Sequence, residues 1–166
     1  MTNLLINTLC AATTDRPEAA FAYMPDGTTV TYGAFFAEAA QIAAALTDEG
    51  LKPGDRVAAQ VQKSLKALQL YVGTVMAGGV FLPLNTAYKA AELAHFINDA
   101  TPTIFVCDPA AERDISALTS ATVLTLDKTG MGRLTDAAAS SDVGFATVSR
   151  EADDLAAILY LSLIHI

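Results

Sequence analysis

Apolar residues in this chain recur at two spacings, and the change from one to the other marks out the elements. Over residues 3–14, Leu4, Leu5, Thr8 and Leu9 fall at helical intervals and predict a short amphipathic helix. Asp15-Arg16-Pro17 ends it, because proline forces the residue before it away from the helical region. Two strand patterns, 21–24 and 28–32, flank Pro25-Asp26-Gly27, a turn signal in which glycine takes positive φ freely, so 21–32 reads as a hairpin. A long helix is predicted over 32–49, with Phe35, Phe36, Ala39, Ile42, Ala43 and Leu46 forming one stripe. Thr31 is placed to cap its start and Gly50 its end.

Beyond the turn Lys52-Pro53-Gly54-Asp55, strand and helix alternate with short connections. The pattern predicts a strand over 56–61 and a helix over 64–77 that buries Leu65, Leu68, Tyr71, Val72 and Val75. Gly78-Gly79 stops that helix, and a strand over 80–84, a helix over 90–99 and a strand over 103–107 follow. A weaker helix over 110–118 and a strand over 122–126 complete the alternation. This is the signature of an α/β fold: a largely parallel sheet with helices on both faces. Ile104-Phe105-Val106 and Val123-Leu124 have the unbroken apolar character of strands covered on both sides. Residues 130–149, poor in large apolar side chains, read as a surface connection with about one turn of helix. Residues 155–160, entered from Asp153-Asp154, read as a buried strand.

Composition narrows the partners. The chain has 166 residues, enough for one domain, and 52% of them are hydrophobic, enough for a core. Its net charge of -8 repels phosphate backbones, so nucleic acid is not expected as a partner, and scattered basic residues offer no patch for anionic lipid. No apolar run is long enough to span a bilayer, and residues 1–7 lack the basic residues of a secretory signal, so a cytoplasmic protein is expected. Cys10 and Cys107 have no metal-ligand spacing and are expected to be reduced thiols.

Candidate chemistry is sparse. GxGxxG, the phosphate-loop pattern GxxxxGK[ST] and the nucleophile pattern GxSxG do not occur. His95, between Ala94 and Phe96 on a predicted helix, is expected to be a satisfied structural histidine rather than a catalytic one. Asp153-Asp154 is expected to cap or solvate the entry to a strand rather than act as a carboxylate pair. Lys63 and Lys66 flank a helix start, where the macrodipole does not favour a cation; they are either ordinary exposed lysines or face a ligand. Asn85-Thr86-Ala87-Tyr88 follows a strand and precedes a helix. Loops at the carboxyl ends of strands line ligand crevices in open α/β sheets, which makes this loop the site candidate. Capping of the next helix by Asn85 or Thr86 is the competing explanation for the same residues.

Three ordered stretches carry a resemblance: Val30-Thr31-Tyr32-Gly33, Leu51-Lys52-Pro53-Gly54-Asp55-Arg56-Val57-Ala58, and Ala77-Gly78-Gly79-Val80-Phe81-Leu82-Pro83-Leu84-Asn85. In order and spacing they resemble the N-terminal region of the adenylate-forming (AMP-dependent synthetase/ligase) enzymes: acyl-CoA synthetases, peptide-synthetase adenylation domains and luciferases. Residues 153–160 are similar to the strand that, in that family, runs into a Thr-Ser-Gly-Thr-Thr-Gly loop holding ATP phosphates. Val57-Ala58-Ala59-Gln60-Val61-Gln62-Lys63-Ser64 and Leu82-Pro83-Leu84-Asn85-Thr86-Ala87-Tyr88 look like malonyl-CoA synthetases within it. The resemblance spans residues 3–160 and implies the N-terminal part of the family's large domain. It implies an acid–thiol ligase that uses ATP, Mg2+ and coenzyme A to convert a small carboxylic acid, malonate on the narrower likeness, to its CoA thioester through an acyl-adenylate. By the same analogy Asn85, Thr86 and Tyr88 lie near coenzyme A, while no catalytic residue and no metal ligand falls in this segment, and no cofactor is expected bound by it alone.

The resemblance breaks at the end. Where the family has Thr-Ser-Gly, this chain has Leu161-Ser162-Leu163-Ile164-His165-Ile166. Leucine and isoleucine cannot replace a glycine loop whose backbone N–H groups cradle phosphate. The six residues are the translation of CTG TCT CTT ATA CAC ATC, which resembles a transposon-end adapter from sequencing libraries. Residues 161–166 are therefore expected to be non-native, and 1–160 a truncated, inactive portion of the enzyme. The alternative is a stand-alone α/β module that binds a ligand or partner without catalysis; the apolar, uncovered ending counts against it.

Overall fold

The computed structural model describes residues 3–141 and 144–161. Helix α1 (Leu4–Ala11) is capped by Asn3, whose side chain accepts from the Ile6 N–H and donates Nδ2 to the Val75 carbonyl at 2.8 Å. Strands β1 (Ala20–Tyr23) and β2 (Thr29–Thr31) form the expected antiparallel hairpin. Phe21 stacks on Phe35 at 4.0 Å and ties the hairpin to helix α2 (Tyr32–Asp48). The Thr31 hydroxyl accepts from the Ala34 N–H at 3.2 Å, the predicted N-cap.

The remaining elements alternate as the pattern predicts: β3 (Arg56–Gln60), α3 (Leu65–Met76), β4 (Val80–Pro83), α4 (Ala90–Ala100), β5 (Ile104–Cys107), α5 (Glu112–Ser116), β6 (Thr122–Thr125) and α6 (Arg133–Ala139). β3 to β6 form one parallel sheet in the order β4-β3-β5-β6, with Val57 between Phe81 and Ile104. Side chains alternate across it. Val57, Ala59, Ile104 and Val106 meet α2, α3 and α6 on one face. Ala58, Leu82, Phe105 and Cys107 meet α4 and α5 on the other. Small residues set the spacing between layers. A Cβ on Gly73 of α3 would lie 2.7 Å from the Ala39 carbonyl oxygen and 3.0 Å from Ile42 Cγ2, so only glycine permits the α2–α3 contact as built.

Three expectations about the fold need correction. The buried side of α3 is carried by Gln69, Leu70, Val72, Gly73, Thr74, Val75 and Met76, whereas Leu68 is 42% exposed and Leu65 and Tyr71 are half-buried. Simple apolar periodicity missed this because part of the apolar stripe faces a groove instead of the core. Residues 130–149 are not merely a surface connection. α6 buries Leu134 and Ala138 under α2, after a reversal at Gly132 whose Cβ would fall 2.3 Å from the Thr125 carbonyl oxygen. Its apolar face is mostly alanine, which gives little periodic signal. Residues 155–160 are not a buried strand. They meet β4 through a single parallel bridge, Phe81 with Ala157, and Leu155 and Leu159 are 60% and 66% exposed. Ala156 packs against the first cluster and Ile158 and Tyr160 against the second, so the segment is covered only in part. Residues 162–166, which carry most of the expected non-native tail, lie outside the described residues. Among the described residues no helix is long and apolar enough to cross a membrane.

Gly73→Ala is expected to destabilise the chain by about 1–3 kcal/mol, the usual consequence of overpacking a close helix contact. Its urea midpoint should fall while the slope of the transition stays constant.

Candidate functional site

At the carboxyl end of the sheet the connections part. β3 leads into α3 on one face, while its neighbours β4 and β5 lead into α4 and α5 on the other. Such a divergence leaves a crevice above the strand ends. Here it is an open groove of about 1110 Å³ between loop 61–64, Leu68 and Tyr71 of α3, loop 83–88 and the segment 157–161. Its walls are largely apolar, and Lys63 stands exposed at its edge.

Asn85, Thr86 and Tyr88 all line this groove. Asn85 Oδ1 accepts from the Ala87 N–H at 2.9 Å, and the Tyr88 N–H donates to the Asn85 carbonyl at 3.0 Å, so the loop is a closed turn. Neither Asn85 nor Thr86 caps α4. The N-cap is Lys89, whose N–H donates to the Glu92 carboxylate at 2.9 Å, and the capping explanation for these residues falls. Asn85 and Thr86 are exposed; Tyr88 is half-buried, its ring 4.9 Å from Phe96, which in turn lies 4.4 Å from Tyr160. Sequence reasoning missed Gln60. At the end of β3 its Nε2 donates to the Asn85 carbonyl at 2.9 Å and the Tyr88 carbonyl at 3.2 Å. The available signal was a long amide closing a mostly apolar strand one residue before the loop.

The other candidates separate cleanly. Lys66 turns away from the groove and pairs with Glu38 of α2 at 2.8 Å; Gln69 donates to the same carboxylate oxygen. That partner accounts for a lysine at a helix start. His95 is not the satisfied structural histidine expected: it is exposed on α4, 5.5 Å from the Phe96 ring, because the helix turns its Leu93 and Ile97 side inward instead. Asp154 accepts from the Glu151 N–H at 2.8 Å and pairs with Arg150 at 3.2 Å, so Asp154 shapes a turn, while Asp153 is exposed. Among the described residues no group of three or more His, Cys, Asp or Glu could hold a metal ion. Tyr160 donates to the Asp99 carboxylate, and burial together with that partner pushes its phenol up to about 12. Cys10 and Cys107 are free thiols; burial, with Glu112 and Asp108 nearby, pushes Cys107 up to about 11.

A sequence model of AMP-binding enzymes matches residues 9–162. The crystal structure of apo MatB from Rhodopseudomonas palustris superposes on the whole chain with a TM-score of 0.94 at 47% identity. The ATP-bound structure of MatB from the same organism superposes on 96% of it with a TM-score of 0.92 at 48% identity. Feruloyl-CoA synthase from Amycolatopsis sp is 27% identical over 136 residues, 82% of this chain. The chain spans 34% of the length of apo MatB and 26% of that of the feruloyl-CoA synthase.

The Cys107 thiol sets a pH dependence. Its folded pKa lies above the unfolded one, so the neutral thiol stabilises the fold below the ordinary thiol range, and that contribution is lost as pH rises through about 11. The urea midpoint of the chain should fall over this window by more than that of Cys107→Ala. At pH 8 a thiol reagent should modify Cys10 first, since Cys107 is wholly buried.

Proposed function

The chain belongs to the family of AMP-binding enzymes, and from that premise we propose that it is the N-terminal portion of an ATP-dependent acyl-CoA synthetase with malonate as its acid. The reaction is acid plus ATP plus coenzyme A to acyl-CoA, AMP and pyrophosphate. The observation that carries this reading is the likeness to MatB over the full chain at 47% identity. An ATP-bound MatB supports ATP as the cosubstrate, and a CoA synthase among the relatives supports coenzyme A as the acceptor. Malonate rests on the likeness of residues 57–64 and 82–88 to malonyl-CoA synthetases. A cytoplasmic setting agrees with two unpaired cysteines.

The residues after Tyr160 do not fit the phosphates of ATP. No glycine occurs from residue 151 onward, so the backbone there cannot cradle phosphate as a glycine loop does. The chain by itself is therefore proposed to be inactive. The groove suits coenzyme A better. The flexible arm of that molecule is an alternation of amides and methylenes, and the groove pairs apolar walls with the exposed Asn85 amide and Thr86 hydroxyl. In this reading Asn85, Thr86 and Tyr88 hold the arm so that its thiol meets the acyl group, and catalysis draws on that orientation.

Acid-dependent pyrophosphate release with malonate, ATP, magnesium and coenzyme A tests the proposal on this chain beside the gene re-amplified to its natural stop codon. Release is expected only from the longer product, with malonate preferred over other acids. Activity from the 166-residue chain itself, or a locus that encodes nothing longer, would overturn it in favour of a non-catalytic binding module.

A further inference from the structure

The groove wall formed by residues 85–88 is held in place by a side chain that does not belong to it. Gln60 closes β3, the strand with parallel neighbours on both sides, and its backbone is fixed by that pairing. Its amide nitrogen carries two hydrogens, and both carbonyls that bracket the turn, those of Asn85 and Tyr88, lie within reach at 2.9 and 3.2 Å. One nitrogen thus ties both ends of the turn to the rigid centre of the sheet. From the other side Tyr88 leans on Phe96. Between these anchors the Asn85 amide and the Thr86 hydroxyl stand exposed towards the groove. Glutamate, of the same length, has no hydrogen to donate when ionised and would set a negative charge against two carbonyl oxygens. Methionine keeps the volume and loses both bonds.

We propose that Gln60 is a positioning residue for the thiol substrate: by holding the Asn85 and Tyr88 carbonyls it sets the shape of the wall along which the coenzyme A arm lies. This rests on the groove being that arm's path. Its consequence is selective. Formation of the acyl-adenylate needs no coenzyme A, so loosening the wall should leave that half-reaction alone and weaken only the second.

The test uses the longer product of the gene, with Gln60→Met and Gln60→Glu compared with the parent. The KM for coenzyme A should rise about tenfold in Gln60→Met, in keeping with the loss of two hydrogen bonds of ordinary strength, and further in Gln60→Glu. Malonate-dependent ATP–pyrophosphate exchange without coenzyme A, and the KM for ATP, should stay within about twofold in Gln60→Met, since one pairwise loss at a loop leaves distant sites alone. A KM for coenzyme A unchanged in both variants overturns the proposal. So does a parallel fall in exchange and thermal midpoint, which would make Gln60 a stability residue only. Thr86→Ala separates the two layers: if it raises the KM for coenzyme A while the Gln60 variants do not, the groove reading stands and the role of Gln60 is refuted. If Thr86→Ala and both Gln60 variants all leave that KM unmoved, the groove reading fails as well.

Discussion

Strand β3 fastens the crossover around α4 at both ends, and the shape of the molecule on that side follows from it. At the start of the strand, Arg56 Nε donates to the Ala100 carbonyl at 2.6 Å and Nη2 to the Thr101 carbonyl at 2.8 Å, meeting the carbonyls left open where α4 stops. Thr101 itself takes a left-handed conformation, φ 43°, that lets the chain turn back towards β5. At the end of the strand, Gln60 holds the segment that leads into α4. The planar guanidinium reaches several acceptors at once, which an ammonium on the same stem would not match. One strand therefore sets where the helix begins and where it ends, and the groove lies just beyond the second of these attachments.

The small side chains of the sequence have a matching role. Ala58 and Ala59 of β3 and Ala39 and Gly73 at the α2–α3 contact bring helices close to the sheet and to each other. The larger residues Leu68, Tyr71 and Phe81 line the groove, and Tyr71 and Phe81 also pack against the core. An apolar surface of that kind is costly to leave in water, and in this account a cosubstrate and the rest of the enzyme occupy it.

Much of the fold was legible in the sequence because strand and helix periods differ and glycines and prolines separate them. The hairpin, the four parallel strands and α2 to α4 fall where the pattern places them, within a residue or two. The misses have physical causes. α6 is built on alanine, and residues 155–160 have the composition of a core strand but only one neighbour, so composition and burial part company. α3 shows the same conflict within one helix, since its apolar stripe serves both core and groove. The groove wall was legible as a place: the loop after β4, which lines it, stood out by its position at a strand end. Gln60 was not, because the reason for it is a backbone carbonyl 25 residues away in sequence, and no local pattern records such a partner.

In the proposed ligase the groove beyond β3 and β4 is the path of coenzyme A. A crystal structure of the longer gene product with coenzyme A bound tests it most directly. The account predicts the arm of the cofactor against Asn85, Thr86 and Tyr88, with the Gln60 amide still bonded to the loop. An ordered cofactor elsewhere, with this groove filled by the protein's own later residues, would contradict it.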